Sequence, residues 1–234
     1  MEKKKLAAAV RKQELPFLTK LCRRPDVFLV DLDNPFGEVG CVIMASGLGR
    51  RFGGNKLLAK FGEKPLIQWA LDATEGIFAR RVAVTRHREV EQLCRSQGID
   101  VILHDLPDRS DTIRLGLDAL CEGRPSLSGC LFCPADQPLL HRETVASLAL
   151  LAADQPDCIW RPSWQEQAGA PVLFPRSLFD ELRSLPQGRG GNWIIRRHPE
   201  LVRLVSVRNP WELEDVDRPQ DMERLAAFLS CGPS

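Results

Sequence analysis

The feature that most constrains this chain is a short apolar run that leads directly into a glycine-rich loop. The run is Cys41–Ala45, and the loop reads Ser46-Gly47-Leu48-Gly49-Arg50-Arg51-Phe52-Gly53-Gly54-Asn55-Lys56. Glycines let backbone N–H groups approach an anion closely, and fixed cations neutralise charge that the backbone cannot. We therefore interpret the segment as a strand followed by a phosphate-binding loop, in which Arg51 and Lys56 supply the positive charge.

Two common nucleotide-binding loops are excluded by the residues around these glycines. A Walker A loop needs a Ser or Thr after its lysine to reach the metal, whereas Lys56 is followed by Leu57. A dinucleotide-binding loop needs a third glycine where Phe52 stands and an acidic residue after the next strand, which ends in Thr85-Arg86. The residues leave one alternative open, a glycine-rich turn that only connects a strand to a helix.

After Gly40, short apolar runs alternate with longer stretches of helical character. Strands are predicted at 41–45, 82–85, 101–104, 129–133, 158–161, 170–174 and 201–207, and helices at 65–75, 89–96, 112–121, 142–152, 176–185 and 219–229. Such alternation is typical of βαβ units. It predicts an α/β fold with a mainly parallel sheet that is covered by helices on both faces.

The length of the chain, 234 residues, suits one full α/β domain with a short appendage. The composition changes before Gly40 to a basic helical stretch and a turn-rich segment. We predict an N-terminal appendage of unknown role over residues 1–37 and one catalytic domain over residues 38–234.

The charge balance argues against large anionic partners. Basic and acidic residues nearly cancel at a formal net charge of +1, so no global field favours nucleic acid or an anionic membrane. No apolar run approaches the roughly 20 residues of a membrane span, and the Lys-rich start is followed by too short an apolar run for a secretory signal. Eight scattered cysteines suit buried, reduced thiols. We expect a cytoplasmic protein without nucleic-acid or membrane partners.

A carboxylate stands at the end of a central predicted strand. The run Gly129–Cys133 is followed by Pro134-Ala135-Asp136-Gln137-Pro138, which places Asp136 at the carboxyl edge of the sheet, beside the expected nucleotide crevice. Magnesium binds one or two carboxylates together with phosphate oxygens and water, so Asp136 suits a metal ligand. The alternative is an Asp that simply starts a turn before a helix.

The main motifs, taken together, resemble those of a known family. Met44-Ala45-Ser46-Gly47-Leu48-Gly49-Arg50-Arg51-Phe52-Gly53, followed by Lys56-Leu57-Leu58 and Lys64-Pro65-Leu66-Ile67, resembles the signature of the MobA-like nucleotidyltransferases, and within them most closely the molybdenum cofactor cytidylyltransferases. Three positions depart mildly from the signature: Ser46 replaces an Ala, Gly49 a Ser and Phe52 a Met. Pro134–Pro138 is similar to the segment with which these enzymes hold the metal.

The resemblance implies a Rossmann-like three-layer α/β/α nucleotidyltransferase fold and a set of site residues. Asp217 lies in an acidic segment similar to the family's Asp-Ile-Asp-Thr-Pro, with an ordinary helix N-cap as its alternative. Thr112 stands where the family has a Ser at a helix start, and it could also be only a cap. The implied nucleotide-binding residues are Met44, Ala45, Ser46, Gly47, Gly49, Arg51, Lys56 and Thr112; the implied Mg²⁺ ligands are Asp136 and Asp217; the implied catalytic residues are Lys56, Arg51 and Asp136.

The implied reaction transfers CMP from CTP to the terminal phosphate of molybdenum-molybdopterin and releases pyrophosphate. GTP-dependent transfer to the same acceptor, or nucleotidyl transfer to a phosphorylated sugar or polyol, are the enzymatic alternatives. A molybdenum hydroxylase or its chaperone would be the protein partner, and a non-catalytic cofactor carrier is the alternative of another class. One family element is altered: near Gly188 relatives carry a Gly-Asp pair, and here the Asp is missing. The acceptor is therefore the least determined part of the prediction.

Overall fold

A computed structural model describes residue 36, residues 38–123 and residues 127–229. Of the predicted appendage, residues 1–37, the structure describes only Phe36, which is buried in the core; the rest lies outside the described residues. Within the described part of the chain, no helix is long and apolar enough to cross a membrane.

The elements alternate along the chain as the sequence predicts. The strands are β1 Val39–Ala45, β2 Lys60–Phe61, β3 Lys64–Pro65, β4 Arg80–Thr85, β5 Asp100–Leu103, β6 Gly129–Pro134, β7 Ile159–Trp164, β8 Gln167–Ala168, β9 Val172–Pro175 and β10 Val202–Ser206. The α-helices are α1 Leu66–Thr74, α2 Arg88–Ser96, α3 Arg109–Cys121, α4 Arg142–Asp154, α5 Phe179–Arg183, α6 Gly191–Arg197 and α7 Pro219–Leu229. Short 3-10 helices lie at Lys56–Leu58, Arg176–Leu178, Pro199–Leu201 and Pro210–Leu213.

Eight of the strands form one sheet, in the order β10-β7-β9-β6-β1-β4-β5, with β8 paired to β7. β1 is central and pairs in parallel with β4 on one side and β6 on the other. The pairs β4–β5 and β7–β10 are also parallel, whereas β9 runs antiparallel to both of its neighbours. The carboxyl ends of β1, β4, β5 and β6 therefore meet at one edge of the sheet, where ligands bind in open α/β folds.

The two faces of the sheet bury separate apolar cores. Alternate residues of a strand point to opposite faces, so Cys41 and Ile43 join one core while Val42 joins the other. Helices α1, α2, α4 and α7 contribute buried residues to the first core, and α3, α5 and α6 contribute to the second. Gly116 lets α3 approach the sheet closely, because a Cβ there would lie 2.5 Å from Val42 Cγ1. The predicted three-layer α/β/α architecture is confirmed.

Several details of the fold, the helix α6 and the strand β8 among them, were not predicted from the sequence. The hairpin of β2 and β3 lies inside a segment interpreted as the loop before α1. The predicted helix at 176–185 is a 3-10 turn followed by the short helix α5. The antiparallel direction of β9 also went unpredicted, because a short apolar run has the same composition in either direction and only the connection and the neighbouring strands select one.

Candidate active site

The glycine-rich loop leaves the carboxyl end of β1 and folds back on itself. The Gly49 carbonyl accepts hydrogen bonds from the backbone N–H groups of Phe52, at 2.9 Å, and Gly53, at 3.0 Å. Gly49 has a φ of +58°, and a Cβ at this position would lie 2.1 Å from the carbonyl oxygen of Gly54. The loop therefore requires glycine at position 49 for two reasons, a left-handed backbone and a close backbone approach.

Replacement of Gly49 by alanine tests this loop conformation. We expect Gly49→Ala to weaken nucleoside triphosphate binding at least about tenfold, because the loop has to move away from the Gly54 carbonyl and so misplaces its N–H groups. Titration calorimetry with CTP measures the effect. Gly53→Ala is a matched control, since φ there is also positive, at +84°, but nothing lies within 4 Å of the added Cβ. Equal effects of the two variants would contradict the close-approach argument.

Lys56 begins the 3-10 helix that ends this loop, and its side chain is only 8% exposed. The Nζ atom donates to Asp136 Oδ2 at 2.7 Å, to the backbone carbonyl of Val216 at 2.5 Å and to Asp217 Oδ1 at 3.4 Å. One ammonium thus joins the loop after β1, the loop after β6 and the acidic segment before α7. The three predicted groups Lys56, Asp136 and Asp217, far apart in the sequence, are brought together.

Arg51 contacts the same cluster from the solvent side. Its Nη1 atom lies 2.7 Å from Asp217 Oδ2, and the two side chains are 68% and 51% exposed. An ion pair this exposed contributes little to stability. Arg51 can therefore exchange its carboxylate partner for another anion at small cost.

A further carboxylate, Asp215, stands next to the cluster. Burial and the nearby charge of Asp136 raise the pKa of the Asp215 carboxyl to about 6, against the opposing effects of a hydrogen bond from Gln137 and the charge of Lys56. The pKa shift reflects burial of the carboxyl first and the neighbouring carboxylate charge second. Sequence analysis did not single out Asp215; its place in the acidic run 212–217 was the available signal.

The donor set matches what magnesium binds when a triphosphate supplies the remaining ligands. Asp136 and Asp217 both point at one cationic centre, the Lys56 ammonium, so the same pair of carboxylates can hold a divalent cation. The described residues contain no group of three His, Cys, Asp or Glu side chains placed to hold a metal. Mg²⁺ takes one or two protein carboxylates and keeps phosphate oxygens and water in its shell, so Asp136 and Asp217 could serve as its protein ligands.

Two histidines flank the start of the glycine loop, a feature that sequence analysis missed. Ser46 Oγ donates to the Val84 carbonyl at 3.0 Å, and His104 Nε2 lies 2.8 Å from the same Oγ. A hydroxyl has one proton, so the imidazole donates from Nε2. Burial and the neighbouring Arg86 lower the pKa of His104, which favours this neutral form. His87 Nε2 donates to the Gly47 carbonyl at 3.0 Å, so both ends of the Ser46-Gly47 pair are held.

Met44 and Ala45 are the last residues of β1, as predicted.

Thr112 lies in the first turns of α3. Thr112 is 2% exposed, and it is not the cap of its helix. Asp108 caps α3 and forms a reciprocal capping box with Asp111, so the alternative interpretation of Thr112 as a cap is wrong. The helix begins three residues before the predicted start because the polar Arg109-Ser110-Asp111 turn is stabilised by that box.

The basic residues near the altered family element are largely engaged with the protein itself. Arg197 stacks over the Trp193 ring at 4.5 Å and lies 3.6 Å from Glu181. His198 Nε2 is 2.9 Å from the other oxygen of Glu181. These contacts join α6 to α5 and agree with a solvated helix face rather than a built acceptor site.

The chain is similar to a known protein family. The sequence model of the protein family described as the MobA-like NTP transferase domain matches residues 41–202, more than half of the chain. The match spans the glycine loop, Lys56 and Asp136.

Curated relatives carry two kinds of name. A Bacillus licheniformis protein named "Probable molybdenum cofactor guanylyltransferase" is 25% identical over 195 residues, which cover 80% of this chain and 96% of the relative. An Acinetobacter baumannii 3-deoxy-manno-octulosonate cytidylyltransferase is 29% identical over 212 residues, which cover 79% of this chain and 83% of the relative. Both names describe nucleotidyl transfer, with different nucleotides.

A solved structure supports the fold. Rv0371c from Mycobacterium tuberculosis superposes with a TM-score of 0.72 at 23% sequence identity, over 81% of this chain and 98% of that chain.

Proposed function

The chain belongs to the MobA-like NTP transferase family, and we propose from that premise that it transfers CMP from CTP to the terminal phosphate of molybdenum-molybdopterin. The observation that carries the proposal is the meeting of Lys56, Asp136 and Asp217 at the carboxyl edge of the sheet, beside the glycine loop. The choice of CTP rests on the similarity of Lys56-Leu57-Leu58 to the cytidylyl branch of the family.

In the proposed reaction an oxygen of the acceptor phosphate attacks the α-phosphorus of CTP. A new P–O bond forms as the bond to the β-phosphate oxygen breaks, and pyrophosphate leaves with the electron pair. An ionised phosphate oxygen needs no base, so the protein acts by positioning and by compensating charge. Loop N–H groups would hold the triphosphate, and Arg51 and Lys56 would lie near the phosphates.

We propose Mg²⁺ as the cofactor, held by Asp136 and Asp217. Bound there, it would neutralise charge on the α-phosphate and on the leaving pyrophosphate. For both carboxylates to turn to the metal, Lys56 has to release them, and a triphosphate oxygen is then the partner that its ammonium requires. The ion pairs would thus exchange partners within the cluster.

The nucleotide is the first point to test. The guanylyltransferase name of one relative favours GTP, and the cytidylyltransferase name of the other favours CTP. Pyrophosphate release should be measured with CTP, GTP and UTP, each with molybdenum-molybdopterin, and the dinucleotide product identified by mass spectrometry. We expect CTP to give at least about tenfold higher kcat/KM than GTP, equivalent to about 1.4 kcal/mol. A preference for GTP would overturn the cytidylyl assignment and keep the family activity.

The acceptor is the second point. The same assay with a phosphorylated sugar or polyol tests the other enzymatic alternative, and the octulosonate itself tests the acceptor named for the Acinetobacter relative. A protein that binds molybdopterin with no pyrophosphate release from any nucleotide would be a carrier. Activity with a sugar acceptor alone would overturn the molybdopterin proposal.

A further inference from the structure

A buried carboxylate, Glu212, lies outside the cluster of Lys56, Asp136 and Asp217 but in the same acidic segment as Asp217. Glu212 lies in the 3-10 helix Pro210–Leu213 and is 0% exposed. A carboxylate removed from water has to be compensated by hydrogen bonds and positive charge or dipoles. Glu212 lies five residues before Asp217, so the contacts that compensate its charge also hold the segment that carries Asp217.

The partners of Glu212 come from the start of α4 and from the loop after β10. Its Oε2 atom accepts from Thr144 Oγ1 at 2.5 Å and from the backbone N–H of His141 at 3.4 Å, both in the first turn of α4. Its Oε1 atom accepts from the backbone N–H of Arg208 at 3.3 Å. The amino end of a 13-residue helix also carries partial positive charge, which stabilises an anion there.

These contacts are one end of a row that aligns two segments, residues 136–144 and residues 212–217. Gln137 Nε2 donates to the Leu213 carbonyl at 3.2 Å, and the Val216 N–H donates to the Asp136 carbonyl at 2.9 Å. Glu212 fixes the outer end of the row to α4, and the other end carries the two carboxylates that meet at Lys56. Glu212 therefore lies at the outer end of the contacts that align the segments carrying Asp136 and Asp217.

We propose that Glu212 is a positioning residue that sets the register of Asp136 and Asp217 for metal binding. The proposal rests on the proposed function of these two carboxylates. Glu212 touches neither of them, and it acts through the segment that it holds.

The substitution Glu212→Gln tests the charge and the acceptor pattern at almost constant volume. Three hydrogen-bond donors point at the carboxylate, with His141 Nδ1 3.8 Å from its Oε1, and an amide has a single acceptor oxygen. The Thr144 hydroxyl can rotate and accept, but in either amide orientation the NH₂ group faces one backbone N–H, of His141 or of Arg208. The segment has to shift to relieve this contact between donors.

Binding of Mn²⁺ in the presence of CTP, followed by electron paramagnetic resonance of the free ion, is the primary measurement. We expect Glu212→Gln to weaken Mn²⁺ binding about tenfold, the lower range for an outer partner of a ligand, and to lower kcat by a similar factor while KM for CTP changes less than about threefold. Thr144→Val removes one donor without changing shape, and it should move the same quantities in the same direction by about two- to threefold.

Glu143→Gln is the matched control. Glu143 is in the same first turn of α4, is 40% exposed and pairs with Arg208 Nη2 at 2.5 Å, so its substitution removes a charge from the helix start but leaves the Glu212 carboxylate bonded. We expect its Mn²⁺ affinity to equal that of the unmodified protein.

Several results would overturn the proposal. Unchanged Mn²⁺ affinity and kcat in Glu212→Gln, with only a lower melting temperature, would reduce Glu212 to a structural role; if that variant does not fold, unchanged values in Thr144→Val decide the same way. Equal losses of Mn²⁺ affinity and kcat in Glu143→Gln would assign the effect to the charge at the start of α4 or to Arg208, and not to Glu212. Failure of the unmodified protein to transfer CMP would refute the proposed function separately, since the Mn²⁺ comparison needs no acceptor.

Discussion

Asp136→Asn is expected to lower kcat by about 100- to 1,000-fold while leaving the fold intact. Removal of one group that stabilises charge in the transition state typically has this effect. Asparagine keeps the volume and one oxygen for Lys56 Nζ, and the backbone bond from Val216 to the Asp136 carbonyl does not depend on the side chain. What disappears is the negative charge that we assign to Mg²⁺.

Steady-state pyrophosphate release and the dependence of rate on Mg²⁺ concentration measure the loss, and circular dichroism checks the fold. Asp180→Asn is the control, because Asp180 is 97% exposed and belongs to an ion pair with Arg183 on the surface of α5. Its activity should match that of the unmodified protein. Near-normal turnover of Asp136→Asn would refute the metal assignment.

Lys56→Ala is expected to have the second large effect, again about 100-fold or more on kcat, with a smaller rise in KM for CTP. Magnesium and backbone N–H groups already compensate the bound triphosphate, whereas charge that builds on the leaving pyrophosphate needs a further cation. An unchanged kcat with a raised KM would mean that Lys56 only binds nucleotide.

The structure adds a stability cost to this prediction. Without the ammonium, the Val216 carbonyl loses its 2.5 Å partner and two carboxylates lose a shared cation. Both carboxylates are partly exposed and can take up water, so we expect the free energy of unfolding to fall by about 1–3 kcal/mol, the cost of an unsatisfied polar group. Chemical denaturation measures this fall. To separate it from catalysis, the kinetics of each variant should be measured at a denaturant concentration about 1 M below the unfolding midpoint of that variant, so that the variants are compared at roughly equal stability.

Lys56→Arg separates the charge of the residue from its shape. The guanidinium keeps the positive charge but is planar, longer and suited to bidentate contacts, so it cannot donate in three directions from one nitrogen. We expect it to recover only part of the rate lost in Lys56→Ala. Full recovery would show that the charge alone is required.

Much of the architecture could be predicted from the sequence, because the period of apolar residues is a local property. The runs around Val42 and Val84 are apolar since both faces of the central strands are covered, and that pattern indicates a parallel sheet with two helical layers. The glycine at position 49 was informative for a similar reason. Its left-handed φ is a property of the residue itself, and the Gly54 carbonyl that it approaches is close in sequence.

The sequence predicted the members of the site, whose roles stay predictions, and the structure supplies their arrangement. Lys56 follows the segment Gly53-Gly54-Asn55 in the sequence, and its ammonium is held by Asp136, Val216 and Asp217, 80 to 161 residues away. No local pattern encodes that contact. The carboxyl ends of β1 and β6 meet because the strands pair, and the pairing depends on the whole sheet.

The sequence by itself determined the alternation of strands and helices, the glycine loop and the identity of the charged residues, because each depends on neighbours within a few positions. Only the tertiary structure decided that β9 runs antiparallel, that His104 holds Ser46, and that Glu212 joins the acidic segment to α4. The physical reason is common to all three. Each is a contact between residues distant in the chain. Such a contact becomes favourable only once the surrounding core has excluded water and fixed the backbones of both residues.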